Sequence, residues 1–254
     1  MPRTIQFPAG EVTVRVTEDD ISDEVTIHLH FRSYATVFQA LSAANAIRHA
    51  QPLSVISLVI PYFPSSRQDR VTGYGHAFDA QVMAKVLLSG EFDTITTWDA
   101  HSDVLGALFP PGMFKNVPQW ELLSPFVETI EQPVLISPDA GAEKKTRMLA
   151  EKIKRPMILA TKLRDTETGA LSGTEIGYYE QYDHQNMVIV DDICDGGGTF
   201  ILLAKAIRQR YTPKSLSLVV THGIFSKGKE VLEKEFDTVY ALNDFTAYQE
   251  NNNV

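Results

Sequence analysis

Three carboxylates, three glycines and a threonine follow one apolar run, Met187-Val-Ile-Val-Asp-Asp-Ile-Cys-Asp-Gly-Gly-Gly-Thr199. Asp191 and Asp192 close the apolar run. Asp195 comes next, and Gly196, Gly197, Gly198 and Thr199 lead into an apolar helical stretch. Glycines let backbone N–H groups close around an anion, and a helix N-terminus adds a favourable dipole. Carboxylates at a strand end accept hydrogen bonds from sugar hydroxyls. The combination makes a seat for a sugar phosphate. It is not a Walker loop, because no Gly-Lys-Ser/Thr is present, nor the dinucleotide Gly-x-Gly-x-x-Gly. An Asp-Gly turn with no ligand is the plainer alternative.

Other polar groups sit after other apolar runs. In Ile60-Pro-Tyr-Phe-Pro-Ser-Ser-Arg-Gln-Asp-Arg70, two arginines flank Gln68 and Asp69. Arginine binds phosphate in a planar, bidentate way and stacks on an adenine ring. In Thr97-Trp-Asp-Ala-His-Ser-Asp103, Asp99, His101 and Asp103 alternate, which in an extended segment puts them on one side. Histidine among carboxylates suits a divalent metal or charge beside a phosphate. In Ser137-Pro-Asp139 the strand ends on a carboxylate that can hold Mg2+ directly or through water. The following helix carries Lys144, Lys145 and Arg147, as an exposed face also would. Lys162 and Arg164 alternate in Thr161-Lys-Leu-Arg164 and present two cations for charge on a transferring phosphoryl group. Phe7-Pro-Ala-Gly10-Glu11 reads alone as a turn.

The elements that must position these groups alternate. Strand-like runs fall at 12–16, 24–30, 55–62, 94–99, 133–137, 157–161, 187–191, 215–221 and 238–242. Helical patterns fall at 34–50, 79–88, 142–154, 199–210 and 227–234. Near-continuous apolar strands belong to parallel sheets covered on both faces. The expected class is α/β, with two domains, each a mostly parallel sheet flanked by helices. In such sheets ligands bind outside the carboxyl ends of the strands, where these polar groups lie. The four prolines between residues 109 and 132 mark a boundary near residue 117, giving domains 1–117 and 118–254. Residues 165–184 lack periodicity and read as a mobile loop or hairpin before the phosphate loop. The tail 251–254 reads as disordered.

Bulk properties narrow the class. The 254 residues are 44% hydrophobic and 22% charged, as in a soluble globular protein. One cysteine, Cys194, leaves no disulfide framework and suits a reducing, cytoplasmic setting. No apolar run is long enough for a transmembrane helix, and the N-terminus lacks a signal-peptide core. A net charge of −9 speaks against a nucleic-acid surface but not against a phosphate ligand held by Mg2+ and a few cations.

Taken in order, these segments resemble the ribose-phosphate diphosphokinase (phosphoribosyl diphosphate, PRPP, synthetase) family. That family carries a Phe-x-Asp/Asn-Gly-Glu turn, Ile-Pro-Tyr with Arg-Gln-Asp, an Asp-Leu-His segment, Ser-Pro-Asp, a Lys-x-Arg pair and an Asp-Asp-x-x-Asp-x-Gly-Gly-Thr loop. Each has a counterpart between Phe7 and Thr199, and Thr221-His-Gly223 follows. The resemblance implies two phosphoribosyltransferase-like domains. It also implies transfer of a diphosphoryl group from MgATP to the 1-hydroxyl of ribose 5-phosphate, giving PRPP and AMP. Phe7, Gly10, Glu11, Arg67, Gln68 and Asp69 would hold ATP, with the adenine often across a subunit interface of a dimer or hexamer. His101 and Asp139 would serve the Mg2+. Lys162, Arg164 and His101 would be catalytic. Asp191 and Asp192 would hold ribose hydroxyls, and Asp195, Gly196, Gly197, Gly198 and Thr199 the 5-phosphate.

The chain departs from that pattern in places. Ala9 stands where the family has Asp or Asn, and Gly73-Tyr-Gly-His-Ala77 replaces a basic segment with Arg-Glu-Pro, which bears on regulation by phosphate or ADP. The family's first strand and helix have no counterpart here and the tail is short, so a compact form is expected. Two other readings share the glycine loop. A PRPP-consuming phosphoribosyltransferase has no reason to carry Arg67-Gln-Asp69, His101 and Lys162-x-Arg164. A non-catalytic regulatory relative would be expected to lose Lys162 or the loop acids, which are present.

Overall fold

The computed structural model describes residues 3–164 and 171–248. The chain divides into two compact units, Met1–Val117 and Pro118–Val254.

The first unit holds a four-stranded parallel sheet of β3 (Glu24–His28), β4 (Val55–Val59), β5 (Thr94–Trp98) and β6 (Phe114–Val117), in that order. Helices α1 (Tyr34–Ala50), α2 (Asp79–Leu88) and the short α3 (Val104–Ala107) make the crossovers. Parallel strands need such connections. α1 buries Val37, Ala40, Ala44 and Ile47, spaced three and four apart, against Ile56, Leu58 and Ile60. β1 (Arg3–Gln6) and β2 (Val12–Arg15) form a separate antiparallel hairpin.

The second unit holds a six-stranded sheet in the order β12 (Thr238–Asp244), β11 (Ser215–Gly223), β10 (Asn186–Cys194), β7 (Val134–Ser137), β8 (Met157–Arg164), β9 (Leu171–Ile176). All neighbours are parallel except β8 and β9, which form an antiparallel pair. Helices α4 (Gln119–Val127) and α5 (Glu143–Ile153) cover one face, where Leu123 and Leu149 pack on Val188 and Val190. α6 (Gly198–Arg210) covers the other, packing Phe200, Leu203 and Ile207 on Met187 and Ile189. α7 (Glu230–Glu233) joins β11 to β12. The strand order reverses between β7 and β10: β8 follows on one side of β7, and β11 and β12 on the far side of β10. A sheet of this kind opens a crevice at the carboxyl ends of the two strands that flank the reversal.

Differences from the sequence expectation are local. β1, β6, β9, α3 and α4 carry no strong pattern. The helix expected over 227–234 is only Glu230–Glu233, because residues 224–229 fold instead against the end of β10. Within 165–184, β9 pairs with β8, so a hairpin is formed. The stretch 165–170 and the tail 251–254 lie outside the described residues, as do the side chains of Lys162 and Arg164.

Candidate active site

The glycine loop leaves β10 at the reversal of strand order. β10 runs to Cys194, three residues beyond the expected end, and α6 starts at Gly198. Gly197 makes the corner with φ 74, the left-handed region that favours glycine. A Cβ there would also stand 2.8 Å from Leu232 Cδ2, so glycine is required twice over. A Cβ on Gly198 meets nothing within 4 Å, which leaves the mouth of the helix open to an incoming group. The first intrahelical bond runs from the Ile201 N–H to the Gly197 carbonyl, 3.0 Å. The N–H groups of Gly198, Thr199 and Phe200 therefore precede the ladder and face outward from the helix end. With no acid in the first turn and Arg208 and Arg210 in the last, the dipole is arranged for an anion at this end.

The two acids at the end of β10 lie on opposite faces. Val188 and Val190 face α4 and α5, and Asp192 continues that row. There Lys145 Nζ of α5 donates to Asp192 Oδ2 at 2.9 Å. Asp192 is 7% exposed, so the pair is largely shielded from water. Asp191 Oδ1 accepts the Asp192 N–H at 2.8 Å. Burial pushes the Asp191 carboxyl well above its usual range. The charges of Asp192 and Asp139 add to the shift, and Lys145 opposes it. Asp139 follows β7, the other strand at the reversal, and its Oδ1 accepts the Ala142 N–H at 3.0 Å where α5 begins. The structure thus gathers Asp139, Asp191, Asp192 and the loop at one crevice. Lys145, which reads equally well as part of a solvated helix face, is the crevice residue that the sequence pattern does not single out. Its partner lies 47 positions away, and no local pattern announces it.

Cys194 is poorly suited to act as a nucleophile. It is fully buried, and its thiol is pushed up to about 12 by burial first and then by Asp191 and Asp195.

In the first unit, the loop after β4 lines a cavity of about 550 Å³ with Arg67, Gln68, Asp69, Arg70, Thr72, His76, Ala77 and His101. The structure therefore brings His101 to the Arg-Gln-Asp segment. The alternation of Asp99, His101 and Asp103 does not survive. The chain turns at Asp99 with φ 46, its N–H donating to the Val117 carbonyl at 2.8 Å, and then enters α3. Asp99 is consequently 2% exposed, while His101 and Asp103 are exposed. The Phe7–Glu11 turn closes the β1–β2 hairpin through the Phe7 N–H and Glu11 carbonyl at 2.8 Å, with Gly10 at φ 87. None of Phe7, Gly10 and Glu11 lines the cavity beside Arg67. Among the described residues, no group of three or more His, Cys, Asp or Glu is placed to hold a metal ion. No helix among them is long and apolar enough to cross a membrane.

The second unit is thus an α/β sheet with a glycine loop and paired acids at its switch point. No family model matches the chain. It is 30% identical over 227 residues to the ribose-phosphate pyrophosphokinase of Pyrococcus abyssi, covering 88% of this chain and 76% of that protein. The Pyrococcus furiosus ribose-phosphate pyrophosphokinase is 28% identical over 242 residues, covering 94% and 84%. The crystal structure of phosphoribosylpyrophosphate synthetase from Mycobacterium smegmatis superposes with a TM-score of 0.71 at 20% identity, covering 88% of this chain and 73% of that one. The chain belongs to the ribose-phosphate pyrophosphokinase family.

Proposed function

We propose that this enzyme moves the diphosphoryl group of ATP to the 1-hydroxyl of ribose 5-phosphate, forming PRPP and AMP. The observation that carries the reading is the glycine loop of β10 opening at the switch point beside Asp139 and Asp191, in a chain of this family. The 5-phosphate rests on the N–H groups of Gly198 and Thr199, and the sugar hydroxyls face Asp191 and Asp192. The 1-hydroxyl attacks the β-phosphorus, the bridging bond to the α-phosphoryl group breaks, AMP departs, and the hydroxyl proton is released. Positioning and charge neutralisation carry such a transfer. Arg67, Gln68 and Asp69, with His101 at the same cavity, take the nucleotide. Lys162 and Arg164, at the carboxyl end of β8, supply cations for the charge on the transferring group.

The acids at the crevice fit Mg2+. They are hard oxygen donors, and their mutual repulsion, felt in the raised Asp191, is relieved by a cation. Asp139 would hold it directly or through water, His101 of the first unit would serve the nucleotide phosphates, and the ion would neutralise phosphate charge. A cation arriving with the nucleotide and its own waters needs no protein cage. The exposed Phe7, apart from the Arg67 cavity, suits a nucleotide contact made to a second copy, and hence a homo-oligomer, dimer or hexamer. The setting we infer is the cytoplasm.

The test is incubation with ATP, Mg2+ and ribose 5-phosphate, followed by resolution of the nucleotides. AMP formation that requires the sugar phosphate supports the reading; ADP, or no turnover, refutes it.

A further inference from the structure

The loop after β11, residues 224–229, lies on the phosphate seat. The Ile224 and Phe225 N–H groups both donate to the Cys194 carbonyl, at 2.8 and 3.2 Å, which ties the loop to the last residue of β10. Ser226 Oγ donates to Asp195 Oδ1 at 2.6 Å. The next residue, Lys227, crosses the first glycine of the loop. Its Cδ and Cε lie 3.4 Å from where a Cβ on Gly196 would stand. Lys229 is occupied elsewhere, with Nζ 3.5 Å from Asp244 Oδ2 and 5.6 Å from the centre of the Phe225 ring. Among the described residues no carboxylate forms an ion pair with Lys227, which is exposed.

This arrangement answers an electrostatic difficulty. A phosphate entering the glycine corner meets Asp195 at the corner's edge, and like charges so close oppose binding. Ser226 holds one oxygen of that carboxylate. Lys227 brings a positive charge to the same edge on a stem that already lies against the loop. Lysine serves phosphate as a compact point charge.

Resting on the sugar-phosphate reading above, we propose that Lys227 is a specificity-determining residue that recognises the terminal phosphomonoester of the sugar substrate, with Ser226 as a positioning residue that fixes Asp195. The chemistry recognised is a dianionic phosphate rather than the sugar hydroxyls.

Calorimetric titration of the full chain with ribose 5-phosphate, inorganic phosphate and MgATP tests this. In Lys227→Met the Kd for ribose 5-phosphate and for phosphate rises roughly tenfold. The Kd for MgATP is unchanged, and Lys227→Arg restores most of the affinity. Ser226→Ala weakens the same two ligands by a smaller factor. An unchanged Kd for ribose 5-phosphate in Lys227→Met, or an equal loss for MgATP, overturns the proposal while leaving the sugar-phosphate reading standing. If the wild type binds phosphate but not ribose 5-phosphate, that reading fails instead. Phosphate affinity in Lys227→Met then decides the role of Lys227, an unchanged value overturning it. A wild type that binds neither overturns both.

Discussion

Lys145 Nζ stands 2.9 Å from Asp192 Oδ2, joining the first turn of α5 to the end of the central strand β10. The bond neutralises one of the acids crowded at the crevice. Without it the buried Asp192 carboxylate, beside Asp191, loses the Lys145 cation. Lys145→Met should therefore destabilise the protein by about 2 kcal/mol, below the full cost for a completely buried pair because Lys145 is partly exposed. Adding Asp192→Asn should recover most of that loss. Urea unfolding of Lys145→Met, Asp192→Asn and the double variant checks it, and additive losses would show that the pair is not coupled.

Asp191 gives a dependence on pH. Its carboxyl is raised above the usual range, so between the unfolded and folded values the native state binds more protons than the unfolded chain. Stability contributed by the neutral carboxyl is present at the lower end of that window and lost as pH rises through the raised value. Asp191→Asn removes the effect. Thermal unfolding over a pH series rising from the ordinary carboxylate range should show the variant gaining on the wild type as pH rises, while its turnover is lost. Parallel curves would remove Asp191 from the stability argument.

Gly197→Ala places a methyl group at φ 74 and against Leu232. The backbone conformation and the contact together should cost about 2 kcal/mol and weaken ribose 5-phosphate binding. Leu232→Ala in the same chain relieves the contact but not the backbone. Part of the binding loss should therefore persist in the double variant, and complete recovery would mean that the corner conformation is unimportant.

Lys162→Ala should lower turnover by orders of magnitude with little change in MgATP affinity, as for a cation that acts on the transferring group. Single-turnover rates and equilibrium titration separate the two quantities. Wild-type turnover in the variant would exclude Lys162 from the chemistry.

Much of this was legible in the chain. The helices Tyr34–Ala50 and Asp79–Leu88 begin and end where their apolar spacing stops. The central strands of the second sheet, β7, β10 and β11, buried on both faces, announce themselves as apolar runs. Others did not: β6 is half-exposed, and α4 begins after Pro118 and contains Pro125. The site divides in the same way. The glycine loop is a local motif, so its place between β10 and α6 is readable in the chain. The turn at Asp99 is fixed by a carbonyl of β6. The partnerships of Lys145 with Asp192 and of Ser226 with Asp195 span 47 and 31 positions. These depend on which strands lie side by side, which no local pattern carries.

The central claim is the transfer of two phosphoryl groups as one unit. ATP labelled at the β-phosphorus, incubated with Mg2+ and ribose 5-phosphate, follows that unit directly. The label should leave the nucleotide and appear in the diphosphate on C1 of the sugar, with unlabelled AMP as co-product. Label retained in ADP, or released as free pyrophosphate without a sugar product, would contradict the account.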